Sequence, residues 1–147
     1  MRIEDFLAAE NVLVGVNASD KKRLLADLSV RAAERLGREA SEIASEVQRR
    51  EELGSTGVGG GIAIPHARIG QLDKPFGLLA RLKRPLDFDA VDGRAVDLVF
   101  LLLQPAAAQS DLNALAAVAR ALRDAERLET MRAAGTSAEL YRALAQT

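Results

Sequence analysis

The chain contains no cysteine and no tryptophan, and its 147 residues include a single histidine. The missing thiols exclude a disulfide framework, a zinc ribbon, an iron–sulfur cluster and a cysteine nucleophile. One histidine likewise excludes every metal site built from several imidazoles, so neither a metal nor another cofactor is expected. An excess of charge is missing too: Lys plus Arg number 20 against 21 Asp plus Glu, a formal net charge of −1. That balance leaves no electrostatic footprint for nucleic acid or an anionic membrane surface. No apolar run approaches the ~20 residues that a membrane-spanning helix requires, so no direct membrane insertion is expected. The start Met1-Arg2-Ile3-Glu4-Asp5 is charged and acidic, unlike a signal or transit peptide, and a cytoplasmic location is the expectation. What is present is 48% hydrophobic residues in a length suited to one domain with a substantial core.

Hydrophobic periodicity divides the chain into alternating strands and helices. Val12 to Val16 is short and β-branched, a strand. Ser19 is placed to cap a helix in which Leu24, Leu25, Leu28, Ala32 and Leu36 recur at helical spacing up to Gly37. Ser41 is placed to cap a second helix, with Ile43, Val47 and Leu53 expected to face inward before Gly54 stops it. Ile62 to His66 reads as a short strand ended by Pro65, which holds Ile64 extended. Phe76 to Lys83 alternates as a strand, and Asp92-Gly93 marks a turn before Val96 to Leu103. The last of these is apolar on both faces and is expected to be a central strand covered on two sides. Ser110 is placed to cap a helix with Leu112, Leu115, Ala119 and Leu122 on its inner stripe. A shorter helix through Leu128 and Met131 leads to Gly135, and Thr136 with Glu139 forms a capping box for the last helix. The fold class is therefore α/β: a three-layer sandwich with a mixed central β-sheet flanked by helices on both faces.

Five of the eleven glycines lie between Gly54 and Gly61, and the only histidine, His66, follows five residues later. Three readings compete for this stretch. A nucleotide loop fails, because no Gly-Lys-Ser/Thr ends it and Gly57-x-Gly59-x-x-Ile62 lacks the third glycine of the dinucleotide fingerprint. Phosphate loops also run from strand into helix, whereas these glycines leave a helix and enter a strand. The second reading is a structural loop of positive-φ turns followed by an ordinary histidine. The third is a histidine that accepts a phosphoryl group. Neutral imidazole is a good nucleophile near pH 7, and phosphoryl transfer asks the protein mainly for placement and charge stabilisation. In that reading Gly59 to Gly61 let backbone N–H groups approach phosphoryl oxygens, Ser55 and Thr56 add hydroxyl donors, and Arg50 forks onto two oxygens.

The run from Arg50-Glu51-Glu52-Leu53-Gly54-Ser55-Thr56-Gly57 through Gly61-Ile62-Ala63-Ile64-Pro65-His66 closely resembles the phosphorylation-site signature of enzyme IIA proteins. These are the fructose/mannitol-type components of the bacterial phosphoenolpyruvate-dependent phosphotransferase system. The resemblance extends to the first strand and helix, to Leu86-Asp87-Phe88 and Asp92-Gly93, to Val96-Asp97-Leu98 and to the helix after Pro105. Among subfamilies the chain looks most like the nitrogen-regulatory enzyme IIA. The resemblance implies a single enzyme IIA type 2 domain over residues 1–147. It implies that His66 is the phosphoryl acceptor and that Arg50 stabilises the phosphoryl group, with Ser55, Thr56, Gly59 and Gly60 in support. The donor it implies is a small histidine phosphocarrier protein, itself charged by an enzyme I that uses phosphoenolpyruvate.

Two positions depart from the family pattern. Gly-Lys usually follows the histidine, but here it is Ala67-Arg68, which keeps the cation and changes its hydrogen-bond geometry. A second histidine usually precedes Leu in the helix after the position of Pro105, but here Asp111 precedes Leu112. Asp111 serves either as a charge at a helix N-terminus or as a partner to the ring of His66. The expected function is a reversibly phosphorylated regulatory protein that signals nitrogen, carbon or potassium status to target proteins, a phosphotransferase-system component without small-molecule turnover of its own. The absence of a membrane or IIB segment in these 147 residues favours that role. The alternatives are a sugar-specific enzyme IIA that passes the group to a separate IIB component, and an interaction module that takes no phosphoryl group.

Overall fold

The computed structural model describes residues 1–107 and 112–145. After a short N-terminal stretch of 3-10 turns, the strand β1 (Val12–Val16) leads into two helices, α1 (Lys21–Leu36) and α2 (Ala40–Glu52). Three short strands follow: β2 (Gly57–Gly59), β3 (Ile62–Ala63) and β4 (His66–Ile69). Two long strands, β5 (Phe76–Leu86) and β6 (Val96–Pro105), precede three helices, α3 (Leu112–Ala121), α4 (Ala125–Ala133) and α5 (Ser137–Ala145). The strands form one mixed sheet in the order β1-β5-β6-β3-β2, with β4 also paired to β6. β5 and β6 are antiparallel, while β1 with β5 and both β3 and β4 with β6 are parallel.

The three layers follow from the alternation of β6. Val99, Leu101 and Leu103 pack against Leu24, Leu28, Ile43 and Val47 of α1 and α2. Leu98, Phe100 and Leu102 pack on the opposite face against Val118, Met131, Leu140 and Leu144 of α3 to α5. A strand with side chains buried on both faces has no polar side to show, which explains its unbroken apolar sequence. On β5, Arg81 points to the α4 side and donates to the carbonyls of Met131 (2.9 Å) and Ala134 (2.6 Å). It thereby satisfies orphan carbonyls at the carboxyl end of that helix.

Several boundaries differ from the sequence reading. Asp20, not Ser19, caps α1: its carboxylate accepts from the Arg23 N–H at 2.8 Å. Gly37 ends the helix in the left-handed conformation, at φ 66°. α2 begins at Ala40 with no side-chain cap, so Ser41 lies inside its first turn. The expected strand 62–66 is two segments, broken at Ile64-Pro65 and resuming at His66. Leu53, expected to face inward, is 81% exposed because it lies past the last helical residue, where the helical period no longer applies. The Thr136–Glu139 box is present, with the Glu139 N–H donating to the Thr136 hydroxyl at 3.1 Å. The cap assigned to Ser110, and Asp111 beside it, lie outside the described residues. Among those described, no helix is long and apolar enough to cross a membrane.

Candidate functional site

His66 opens β4 at the sheet edge, directly after the break at Pro65. Its Nδ1 lies 2.8 Å from the carbonyl oxygen of Ile64. In a neutral ring that contact fixes the proton on Nδ1, which donates to the carbonyl and leaves the Nε2 lone pair as the nucleophile. Burial holds His66 below its ordinary value of 6.5; the Ile64 carbonyl acts in the opposite direction, and the Arg50 cation adds to the lowering. The ring is therefore neutral at physiological pH. It lines a cleft of about 340 Å³ together with Arg50 and Leu53 from the end of α2, Arg68 of β4, Gln104 of β6 and Leu115 of α3.

A run of hydrogen bonds fixes His66 from below. Glu51 sits at the inner side of the last turn of α2, with its side chain 4% exposed, and forms an ion pair with Lys21 at 2.8 Å. Its two carboxylate oxygens accept from the Thr56 N–H (2.8 Å) and the Thr56 hydroxyl (2.7 Å). The Thr56 carbonyl in turn accepts from the Ile64 N–H at 3.0 Å, and the Ile64 carbonyl accepts from His66. Lys21 closes the lower end by donating to the Phe88 carbonyl at 3.2 Å and lying over the Phe88 ring. A buried carboxylate is tolerated here because all its neighbours are donors.

The residues expected around a phosphoryl group are thus distributed unevenly. Arg50 shares the cleft with His66, and its guanidinium donates to the Gly54 carbonyl at 2.9 Å, which uses one of its five N–H groups. Arg68 is there too and donates to the Pro105 carbonyl at 3.3 Å. The hydroxyl of Thr56 is buried against Glu51, and that of Ser55 donates to the Phe88 carbonyl while accepting from the Gly57 N–H at 3.0 Å. Gly59 and Gly60 lie on the β2–β3 hairpin and line a separate, larger cleft of about 850 Å³ beside α3. Gly60 and Gly61 have φ of 67° and 81°, the left-handed pair that a two-residue hairpin turn requires. The Gly60 N–H donates to Asp92 at 2.9 Å, and its carbonyl accepts from Arg132 at 2.7 Å.

Sequence reasoning assigned no role to Lys21, Glu51 or Gln104. Glu51 was in plain view within the run Arg49-Arg50-Glu51-Glu52 but looked like one surface charge among four. Gln104 is the last polar residue of an apolar strand, a position that resembles a strand end reaching solvent. Among the described residues no group of three or more metal-ligating side chains gathers. The chemistry available in the cleft is nucleophilic attack by an imidazole nitrogen beside the guanidinium groups of Arg49, Arg50 and Arg68, the first of them paired with Glu46.

Comparison with known proteins identifies the family and the fold. Residues 5–147 match the family described as "Phosphoenolpyruvate-dependent sugar phosphotransferase system, EIIA 2". The chain is 44% identical over 146 residues to a nitrogen regulatory protein of Bradyrhizobium diazoefficiens, covering 99% of this chain and 95% of that one. It is 40% identical to the nitrogen regulatory protein of Pseudomonas aeruginosa, with 96% and 93% covered. The crystal structure of nitrogen regulatory protein IIA-Ntr from Neisseria meningitidis superposes with a TM-score of 0.90 at 29% identity, covering 97% of this chain and 98% of the other. An imidazole held at a sheet edge beside a helix-end arginine, in a chain matched almost from end to end, places this protein in the enzyme IIA type 2 family of the phosphotransferase system.

Proposed function

We propose that the protein is a phosphoryl-carrying regulatory component of the phosphotransferase system, reversibly phosphorylated on His66 by a histidine phosphocarrier protein. The observation that carries this reading is the 2.8 Å contact between His66 Nδ1 and the Ile64 carbonyl. It commits the proton to one nitrogen and leaves the other as a lone pair in a cleft lined by guanidinium groups. In the transfer, Nε2 attacks the phosphorus of the donor's phosphohistidine. The donor's N–P bond breaks, with its electron pair returning to the donor nitrogen, as the new N–P bond forms. His66 keeps its Nδ1 proton on a ring that has become cationic, and the Ile64 carbonyl stabilises that charge. Arg50 and Arg68 balance the negative charge on the phosphoryl oxygens.

The change of state is large for a small patch, since the phosphoryl oxygens carry roughly −1.5 to −2 charge, offset in part by the cationic ring. The exposed Leu53 at the rim gives that patch an apolar contact for a docking protein. Relatives matched over nearly their whole length are named nitrogen regulatory proteins, which supports regulation over sugar transport; the signal in this reading is nitrogen, carbon or potassium status. The test is incubation with phosphoenolpyruvate, enzyme I and the phosphocarrier protein. The wild type is expected to gain an acid-labile, alkali-stable phosphoryl group and His66→Ala none. Full incorporation in His66→Ala, or none in the wild type, overturns the assignment.

A further inference from the structure

The register of β4 on β6 pairs His66 with Leu102 and Arg68 with Gln104. Side chains alternate along each strand, so His66, Arg68 and Gln104 share the sheet face that looks toward α3. Gln104 is only 4% exposed and lines the His66 cleft. Its Oε1 is sealed from solvent and has no hydrogen-bond partner among the described residues. A buried amide carbonyl without a partner lowers stability, and an apolar residue like its neighbours Leu101 to Leu103 would remove that defect. With the oxygen turned into the protein, the NH₂ group is the end of the amide left to meet the cleft.

We propose that Gln104 is a phosphoryl-binding residue whose NH₂ group donates to a non-bridging oxygen of the phosphoryl group on His66. The proposal rests on the reading of His66 as the acceptor. Gln104 neither gains nor loses a proton in the transfer; its N–H contact forms as the phosphoryl group arrives and breaks as it leaves. An uncharged donor suits this position. Arg50 and Arg68 already oppose protonation of His66 and Arg49 lines the same cleft, so a further cation would reinforce that repulsion and attract anions before phosphorylation. The amide instead offers a directed hydrogen bond that counts only when the phosphoryl oxygen is present. Its contribution therefore falls on the phosphorylated state, setting how the group partitions between this protein and its donor.

The test compares wild type, Gln104→Met and Gln104→Glu in the phosphoenolpyruvate-driven system, reading the equilibrium of phosphoryl groups between the phosphocarrier protein and His66, with thermal melting in parallel. Met has the same chain length without donor or orphaned carbonyl, so Gln104→Met is expected to melt at or above the wild-type temperature. Its equilibrium constant for holding the phosphoryl group is expected to fall about ten- to a hundredfold, the range for one lost hydrogen bond to a charged oxygen. Gln104→Glu keeps the shape but aims an acceptor-only carboxylate at the phosphoryl group, and is expected to fall further. A wild-type equilibrium in both variants, or a lower melting temperature in Gln104→Met with the equilibrium unchanged, overturns the role for Gln104 and leaves the His66 assignment standing. No phosphorylation of the wild type overturns both.

Discussion

The glycine hairpin and the His66 cleft lie a few residues apart in the chain and treat their polar groups in opposite ways. At the hairpin tip they are spent on one another. Arg132 grips Asp97 with two nitrogens at 2.9 and 2.8 Å and reaches the Gly60 carbonyl, while Asp92 takes the Gly60 N–H. Gly61 is locked by the same clamp, because a Cβ there would come within 2.6 Å of the Arg132 guanidinium. In the cleft, by contrast, the Gln104 oxygen has no partner among the described residues, and the Arg50 guanidinium donates to the Gly54 carbonyl alone among them. The glycines mark where the backbone turns; the place we propose as reactive is the one that keeps unused hydrogen-bonding groups. Density of unusual residues and incompleteness of bonding are different signals, and only the second depends on three-dimensional placement.

The comparison predicts which changes harm the framework and which harm the chemistry. The largest loss of stability belongs to Glu51, the paired group that supports the cleft. Glu51→Ala takes from Lys21 its buried partner, leaving only the exposed Asp89 at 4.0 Å and the Phe88 carbonyl, and releases Thr56; it should cost about 3 kcal/mol, the low end for removing one member of a buried ion pair. Urea denaturation reads that loss. A drop below about 1 kcal/mol, the scale of an exposed pair, would mean that the Glu51 network does not hold the loop. Arg50→Ala should do the reverse. The side chain is partly exposed, so stability should barely change, while the rate of phosphoryl transfer should fall about a hundredfold, as when one donor to developing charge is removed. Arg50→Lys should recover part of that rate, since it restores charge without the planar fork. Rapid-quench transfer from the phosphorylated donor separates the two variants.

The smallest effect is the pH dependence carried by His66. Its folded value lies below the ordinary 6.5, so between the two values the unfolded chain binds the proton and the folded chain does not. Stability is then lost as pH falls through about 6.5, and above it the ring contributes nothing. Histidine proton shifts followed by NMR should show the titration midpoint below that of an unstructured peptide, moving upward in Arg50→Ala. A midpoint at or above the peptide value would mean that the ring is more solvated than its place in the cleft indicates.

Particular residues show how much of this was legible beforehand. Leu24, Leu28, Ile43 and Val47 betrayed α1 and α2 through spacing alone, and the doubly apolar run at 98–103 identified the central strand. The cap of α1 slipped by one because Ser19 and Asp20 are both capping types, and only backbone conformation selects between them. Leu53 misled because periodicity extrapolates past a helix end that the chain itself does not respect. His66 and Arg50 were legible through their long shared motif and do meet in one cleft. The inner role of Glu51 and the placement of Gln104 were not, because each depends on a partner far along the chain: Lys21 lies thirty residues before the one, and β4 pairs beside the other.

The break at Pro65 has a last consequence, for solubility. β4 forms an outer margin of the sheet, paired to β6 alone among the described strands. An open margin of this kind invites a second sheet to add itself, the first step of aggregation. Here it is only four residues long, follows a proline that has no N–H to offer, and carries the charged Arg68 at its centre. A long, flat neighbour finds too little ladder to grip.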